Sequence, residues 1–105
     1  MDESKVQEMQ LIEQNLQNVL MQKQAFQMES SENKAAIKEI KVSSEGVYKI
    51  IGNLMLKSDK KKVEEELEDK QRLLDLRIKS LESQEKIMMK QLEKLRDEML
   101  KSKKK

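Results

Sequence analysis

Cysteine, proline and histidine are all absent from this chain of 105 residues. Without cysteine there is no disulfide framework and no thiol chemistry. Without histidine there is no imidazole base and no Ser-His arrangement. Any metal would have to be held by carboxylates alone. Without proline nothing in the sequence forbids a long uninterrupted helix. Glycine occurs only at Gly46 and Gly52, and the aromatics are Phe26 and Tyr48. So few bulky apolar groups cannot fill a thick core. No apolar run approaches the ~18–20 residues needed to cross a bilayer. No glycine-rich phosphate loop is present. The opening MDESKVQEMQ is acidic and polar, unlike a secretory signal, so the cytoplasm is the expected compartment.

Charge, by contrast, is abundant: 40% of residues are charged and 36% hydrophobic. Lys, Glu, Gln, Leu and Met dominate, and all are good helix formers. Such a composition fits either long helices or disorder, and apolar spacing decides between them. A narrow seam between two helices needs only about two apolar residues in seven. Net charge is +2, too small to argue for nucleic acid. The lysines at 57 and 60–62 form a local basic cluster, but without supporting aromatics. The carboxylates Glu64, Glu65, Glu66, Glu68 and Asp69 read as a solvated helix surface rather than a metal site. The closing KSKKK reads as a solvated helix end.

Along the first part of the chain the apolar positions step by three and four. Met9, Ile12, Leu16, Val19, Phe26, Ile37 and Ile40 occupy seam slots, with Lys23, Ser30 and Asn33 between them. Ser4 and Gln7 fit a capping box ahead of this pattern. The spacing predicts a helix over about 3–42, about 60 Å long at roughly 1.5 Å per residue. Ser43, Ser44 and Gly46 then break it, Gly46 in the left-handed position that closes many helices.

The next segment, VYKIIGNLMLK, changes period and composition. Its β-branched and aromatic residues favour strands, and Gly52-Asn53 between two short apolar runs predicts a β-hairpin over 47–57. Beyond it, Ser58 or Asp59 can cap a second helix over about 60–101. Leu67, Leu74, Ile78, Leu81, Met88, Leu92, Leu95 and Met99 form its seam, interrupted by Gln71 and Glu85.

The two seams test each other. If the chain doubles back at the hairpin, facing residues have numbers that sum to about 104. Met9 then faces Leu95, Ile12 faces Leu92, Leu16 faces Met88, Phe26 faces Ile78 and Ile37 faces Leu67. Each pair joins an a position to a d position, as an antiparallel coiled coil requires. Asn33 falls opposite Gln71, a polar layer that can fix alignment. Disordered chains have no reason to agree in this way. The expected fold is therefore all-α dominated. A long antiparallel two-helix coiled coil is joined by one short β-hairpin, and residues 1–105 form a single domain.

An isolated two-stranded hairpin is marginal in water. This one carries Val47, Tyr48, Ile50, Ile51, Leu54, Met55 and Leu56, and its edges are unpaired. Folding back onto the helix roots would cover little of it. Pairing with hairpins of other chains, in a shared sheet or barrel, is the expected solution. These seven residues are the candidate oligomerisation site.

At this point the sequence resembles the β-class subunits of prefoldin. The hairpin Val47–Lys57 carries the resemblance most specifically, with the stretch around Leu81, Gln84 and Glu85 and the helix KKKVEEELEDKQRLLDLRIKSLESQEKIMMKQLEKL. A single hairpin fits the β class, since α-class subunits carry two. The resemblance implies a cytoplasmic hexamer of two α-class and four β-class subunits, joined through a β-barrel platform. It implies coiled coils whose free ends hold unfolded polypeptides and pass them to a group II chaperonin. No nucleotide, cofactor or metal is implied, and no enzymatic activity.

Residues beyond what the seams need fit that expectation. Both termini are expected at one free end. There Val6, Leu11 and Leu20 lie off the first seam, and Ile87, Met89 and Leu100 lie off the second. Methionines 1, 9, 21, 88, 89 and 99 fall in the same half, and methionine adapts to many shapes. The candidate client-binding residues are Val6, Met9, Leu11, Leu20, Ile87, Met89, Met99 and Leu100. Met9 and Met99 also hold seam positions, where packing is the competing role. A coiled-coil scaffold or tether is the alternative reading, but it leaves the apolar hairpin and the off-seam residues unexplained. Mixed-sign charge on both helices argues against a membrane-surface helix.

Overall fold

The structure is a computed structural model, and it describes residues 3–43 and 46–103. Helix α1 (Glu3–Val42) leads into strands β1 (Val47–Ile51) and β2 (Leu54–Ser58), and helix α2 (Lys60–Lys103) follows. The strand β2 takes in Ser58, and α2 runs two residues past the position expected from spacing. Lys101, Ser102 and Lys103 are good or tolerable helix formers, so nothing stops the helix where the apolar pattern ends. Met1, Ser44 and the last two lysines of KSKKK, invoked above, lie outside the described residues.

The ends of the helices have identifiable causes. Asp59 caps α2: its Oδ1 accepts the Lys61 amide at 3.2 Å, and its carbonyl accepts the Val63 amide at 3.0 Å. At the close of α1 the Ser43 amide donates to the Glu39 carbonyl at 3.1 Å. The Lys60 ammonium then donates to the Ser43 carbonyl at 2.8 Å. A cation there complements the negative end of the α1 dipole. Two expectations need correcting. Ser4 lies inside the first turn, because α1 already includes Glu3, so it does not hold the cap position. Gly46 is not left-handed, since Gly52 alone has positive φ among the described residues.

Gly52 has φ of 60° and Asn53 a negative φ, the sign pattern of a type II′ turn. The turn matches the right-handed twist of its strands and sets the register. Ile51 pairs with Leu54, Ile50 with Met55, Lys49 with Leu56, Tyr48 with Lys57, and Val47 with Ser58.

Contacts divide the chain into two compact units. One contains the described residues up to Ala25 together with those from Ile78 onward. Within it the Lys5 and Glu98 side chains pair at 3.5 Å, and Lys23 and Glu85 at 3.0 Å, so the helices run antiparallel. The other is Phe26–Arg77 and contains the hairpin. There Lys70 reaches Glu29 at 3.4 Å and Lys41 reaches Glu68 at 3.8 Å, again antiparallel.

Burial follows the seams. Val19, Ile40, Leu74, Leu81, Leu92 and Leu95 are the buried apolar residues. The other apolar seam positions on both helices are half-buried. No side chain is completely enclosed among the described residues, as expected for two helices that can cover only one stripe of each other.

The polar residues in the seams are paired rather than stranded. Asn33 and Ser30 are buried. The Asn33 amide donates to the Leu67 carbonyl at 2.8 Å and to Gln71 Oε1 at 3.0 Å. Gln71 Nε2 donates in turn to Ser30 Oγ at 2.8 Å and to Asp75 at 3.0 Å. Asn33 therefore does meet Gln71, as the register requires. No buried side-chain nitrogen or oxygen lacks a partner among the described residues. Arg77 stacks over Phe26, 5.5 Å from the ring centroid.

Candidate functional surfaces

The hairpin is an apolar element with almost no cover. Alternation places Tyr48, Ile50, Met55 and Lys57 on one face, and Val47, Lys49, Ile51, Leu54 and Leu56 on the other. Ile50 is 70% exposed and Leu54 64%. Tyr48, Ile51, Met55 and Leu56 are exposed too, and Val47 is half-buried. A half-buried hairpin would alternate apolar and polar, but this one carries apolar groups on both faces. Its single sheet has only these two strands, so each strand keeps one free edge. The base is tied by Lys49, which reaches Glu66 of α2 at 2.9 Å. The hairpin does not fold back over the helix roots in a way that hides these residues.

The second surface is in the unit that contains both ends of the described chain. Leu11 is 58% exposed, and Leu20, Ile87, Met89 and Leu100 are also exposed. Val6, Met9 and Met99 are half-buried. For Met9 and Met99 this is the burial of a seam residue. Val6 is less available than its off-seam position implies. A shallow groove brings Leu11 and Ile12 of α1 together with Leu95 of α2, rimmed by Glu8, Asn15, Lys94 and Glu98. Apolar groups there sit beside charges of both signs.

Five exposed apolar residues were not singled out as candidates from spacing: Met21, Met28, Val42, Leu73 and Leu76. None of them holds a seam position. Their signal was present in the sequence, since they occupy heptad positions that a charged helix normally fills with Lys or Glu. Among the described residues no helix is long and apolar enough to cross a membrane. Among those residues, too, no group of three or more acidic side chains is placed to hold a metal ion.

Comparison with known proteins shows which family shares this sequence and fold. The family model for "Prefoldin subunit" matches residues 3–105. The prefoldin subunit beta of Thermococcus onnurineus is 44% identical over 85 residues, covering 79% of this chain and 73% of that protein. That of Saccharolobus islandicus is 40% identical over 88 residues, covering 82% and 70%. The crystal structure of the prefoldin beta subunit from Thermococcus strain KS-1 superposes with a TM-score of 0.90 at 33% identity. That superposition covers 95% of this chain and 90% of the other.

Proposed function

This chain belongs to the prefoldin subunit family, a family of chaperone subunits, and we propose that it is a β-class subunit of an ATP-independent holdase. In this reading the whole chain works as one domain in the cytoplasm and catalyses nothing. The hairpin joins hairpins of α-class subunits and further β-class copies in a barrel, giving a hexamer of two α and four β chains. The end that carries both termini captures non-native polypeptides and delivers them to a group II chaperonin.

One observation carries the capture step. Leu11, Leu20, Ile87, Met89 and Leu100 are exposed although none is needed for the seam. Exposed methionine and leucine on mobile rotamers accept clients of many shapes. A single end offers too little apolar area for tight binding, so several ends acting together supply the affinity. The exposed two-faced hairpin supports assembly in the same way. A scaffold or tether would need neither.

Truncation tests the reading. Removal of residues 1–8 and 97–105, which takes away Val6, Met99 and Leu100, should impair suppression of client aggregation, followed by light scattering, while native mass spectrometry still finds the hexamer. Undiminished suppression by the truncated complex would refute capture at this end. A homodimer, or a complex with unrelated proteins, would favour the scaffold.

A further inference from the structure

In a chain so rich in charge, one exposed helix face has none. On α1, between Ser4 and Ala25, every position pointing away from the seam is uncharged and exposed. Gln7, Gln10, Leu11, Gln14, Gln17 and Met21 are the chief members. A shallow recess on this face is lined by Gln7, Gln10, Leu11, Gln14 and Gln17, with Glu13 at one side. The equivalent outward positions of α2 in the same unit instead mix Lys79, Lys86, Lys90, Glu93, Lys94 and Asp97 with the uncharged Ser80, Ser83, Ile87 and Leu100.

Helix propensity does not account for the difference. Gln, Glu, Lys and Arg are similarly good helix formers. Charged residues would add solubility and i,i+4 support, and α2 uses them freely. Charge has been kept off one face of one helix. A neutral face bearing amides and scattered apolar groups is complementary to neutral partners that carry the same groups.

We propose that this α1 face binds an extended segment of non-native polypeptide through its main chain. The proposal rests on the chaperone reading above and names the surface and the chemistry recognised. Peptide groups are neutral, and each offers one donor and one acceptor. A glutamine amide offers both in return, on a side chain long enough to follow an irregular backbone. Folded proteins pair their peptide groups internally, so only unfolded chains present them in series. Leu11 and Met21 take apolar side chains beside those contacts. Because the face is uncharged, it attracts acidic and basic clients equally. A charged face would select by sign and would weaken with salt.

The test uses the assembled complex and two labelled probes, reduced α-lactalbumin (acidic) and reduced lysozyme (basic), with Kd read by fluorescence anisotropy. The unmodified complex should bind both with little dependence on salt. Gln10→Ala with Gln14→Ala and Gln17→Ala should weaken both about tenfold, from several modest hydrogen bonds lost together. Gln10→Glu with Gln14→Glu and Gln17→Glu should weaken the acidic probe selectively, and added salt should restore part of the loss. A matched set on α2, Ser80→Glu with Ser83→Glu and Gln84→Glu, should leave the acidic probe within about twofold. If the unmodified complex binds both probes and the glutamine variants bind equally well, the amide face is refuted and the chaperone reading stands. If the unmodified complex binds neither, the chaperone reading itself fails. If native mass spectrometry finds that the glutamine variants change subunit composition, the face is an intersubunit contact and the proposal is overturned.

Discussion

The Lys23 ammonium lies 3.0 Å from the Glu85 carboxylate, and the two groups occupy slots where the seams would otherwise place apolar side chains. Both side chains are about one-fifth exposed, at 21% and 19%. The pair is thus neither a free surface bridge nor a fully enclosed one. Its Coulomb attraction offsets the loss of water around each ion, with little surplus.

That balance predicts an asymmetry. Glu85→Ala should destabilise the chain by about 2 kcal/mol, because it leaves a half-buried ammonium without its counter-charge. Lys23→Leu together with Glu85→Leu should match or exceed the original stability. Urea melts of the single and double variants, followed by circular dichroism at 222 nm, check this. A double variant less stable than the single one would contradict it.

The Asn33–Gln71 layer should fix register more than it stabilises. Replacing both by leucine should raise the melting temperature while loosening alignment. Disulfide trapping reads the alignment: Ile12→Cys with Leu92→Cys should crosslink in the parent chain, and Ile12→Cys with Leu81→Cys should not. In the leucine background Ile12→Cys with Glu85→Cys, one heptad from the native register, should begin to crosslink, while the pair at 12 and 81 still should not. Asn33→Ala alone should cost about 1–2 kcal/mol, since Gln71 loses a partner.

Gly52 holds the turn with φ of 60°, where a side chain is strained. A Cβ there meets nothing within 4 Å, so the cost is conformational and not steric crowding. Gly52→Val should cost about 1–2 kcal/mol, felt in the hairpin alone. Helicity should persist while assembly, measured by native mass spectrometry, weakens.

Ile50→Lys with Leu54→Lys should dissolve the assembly outright and leave the helical signal intact. The two residues lie on opposite faces of the hairpin, so both apolar faces acquire a charge. Analytical ultracentrifugation decides the matter. A double variant that still assembles would place the subunit interface elsewhere.

Much of this was legible without coordinates because it is periodic. The three-four spacing from Met9 to Ile40 and from Leu67 to Met99 marks the buried stripe, and every slot is buried or half-buried. The agreement of the two patterns implied that Asn33 meets Gln71, and it does. The change of period at Val47, with Gly52-Asn53 behind it, marked the hairpin. Resemblance to prefoldin could be read from the same segment.

Other features depend on where side chains go rather than on spacing. Lys23 and Glu85 looked like two separate interruptions, and only their approach across 62 positions makes them a pair. Gly46 and Ser4 were given roles from residue type, but residue type alone fixes neither the backbone angle of a glycine nor the residue at which a helix starts. Exposure of Val6 and of Leu11 could not be ranked from heptad position, because the width of the stripe depends on how closely the partner helix approaches. By itself the sequence determined the elements, their order and the seam, since periodicity and propensity act within a few residues. Tertiary structure decided which polar groups are satisfied, which apolar groups remain exposed and which face is free of charge, because those depend on the atoms brought opposite by the return of the chain.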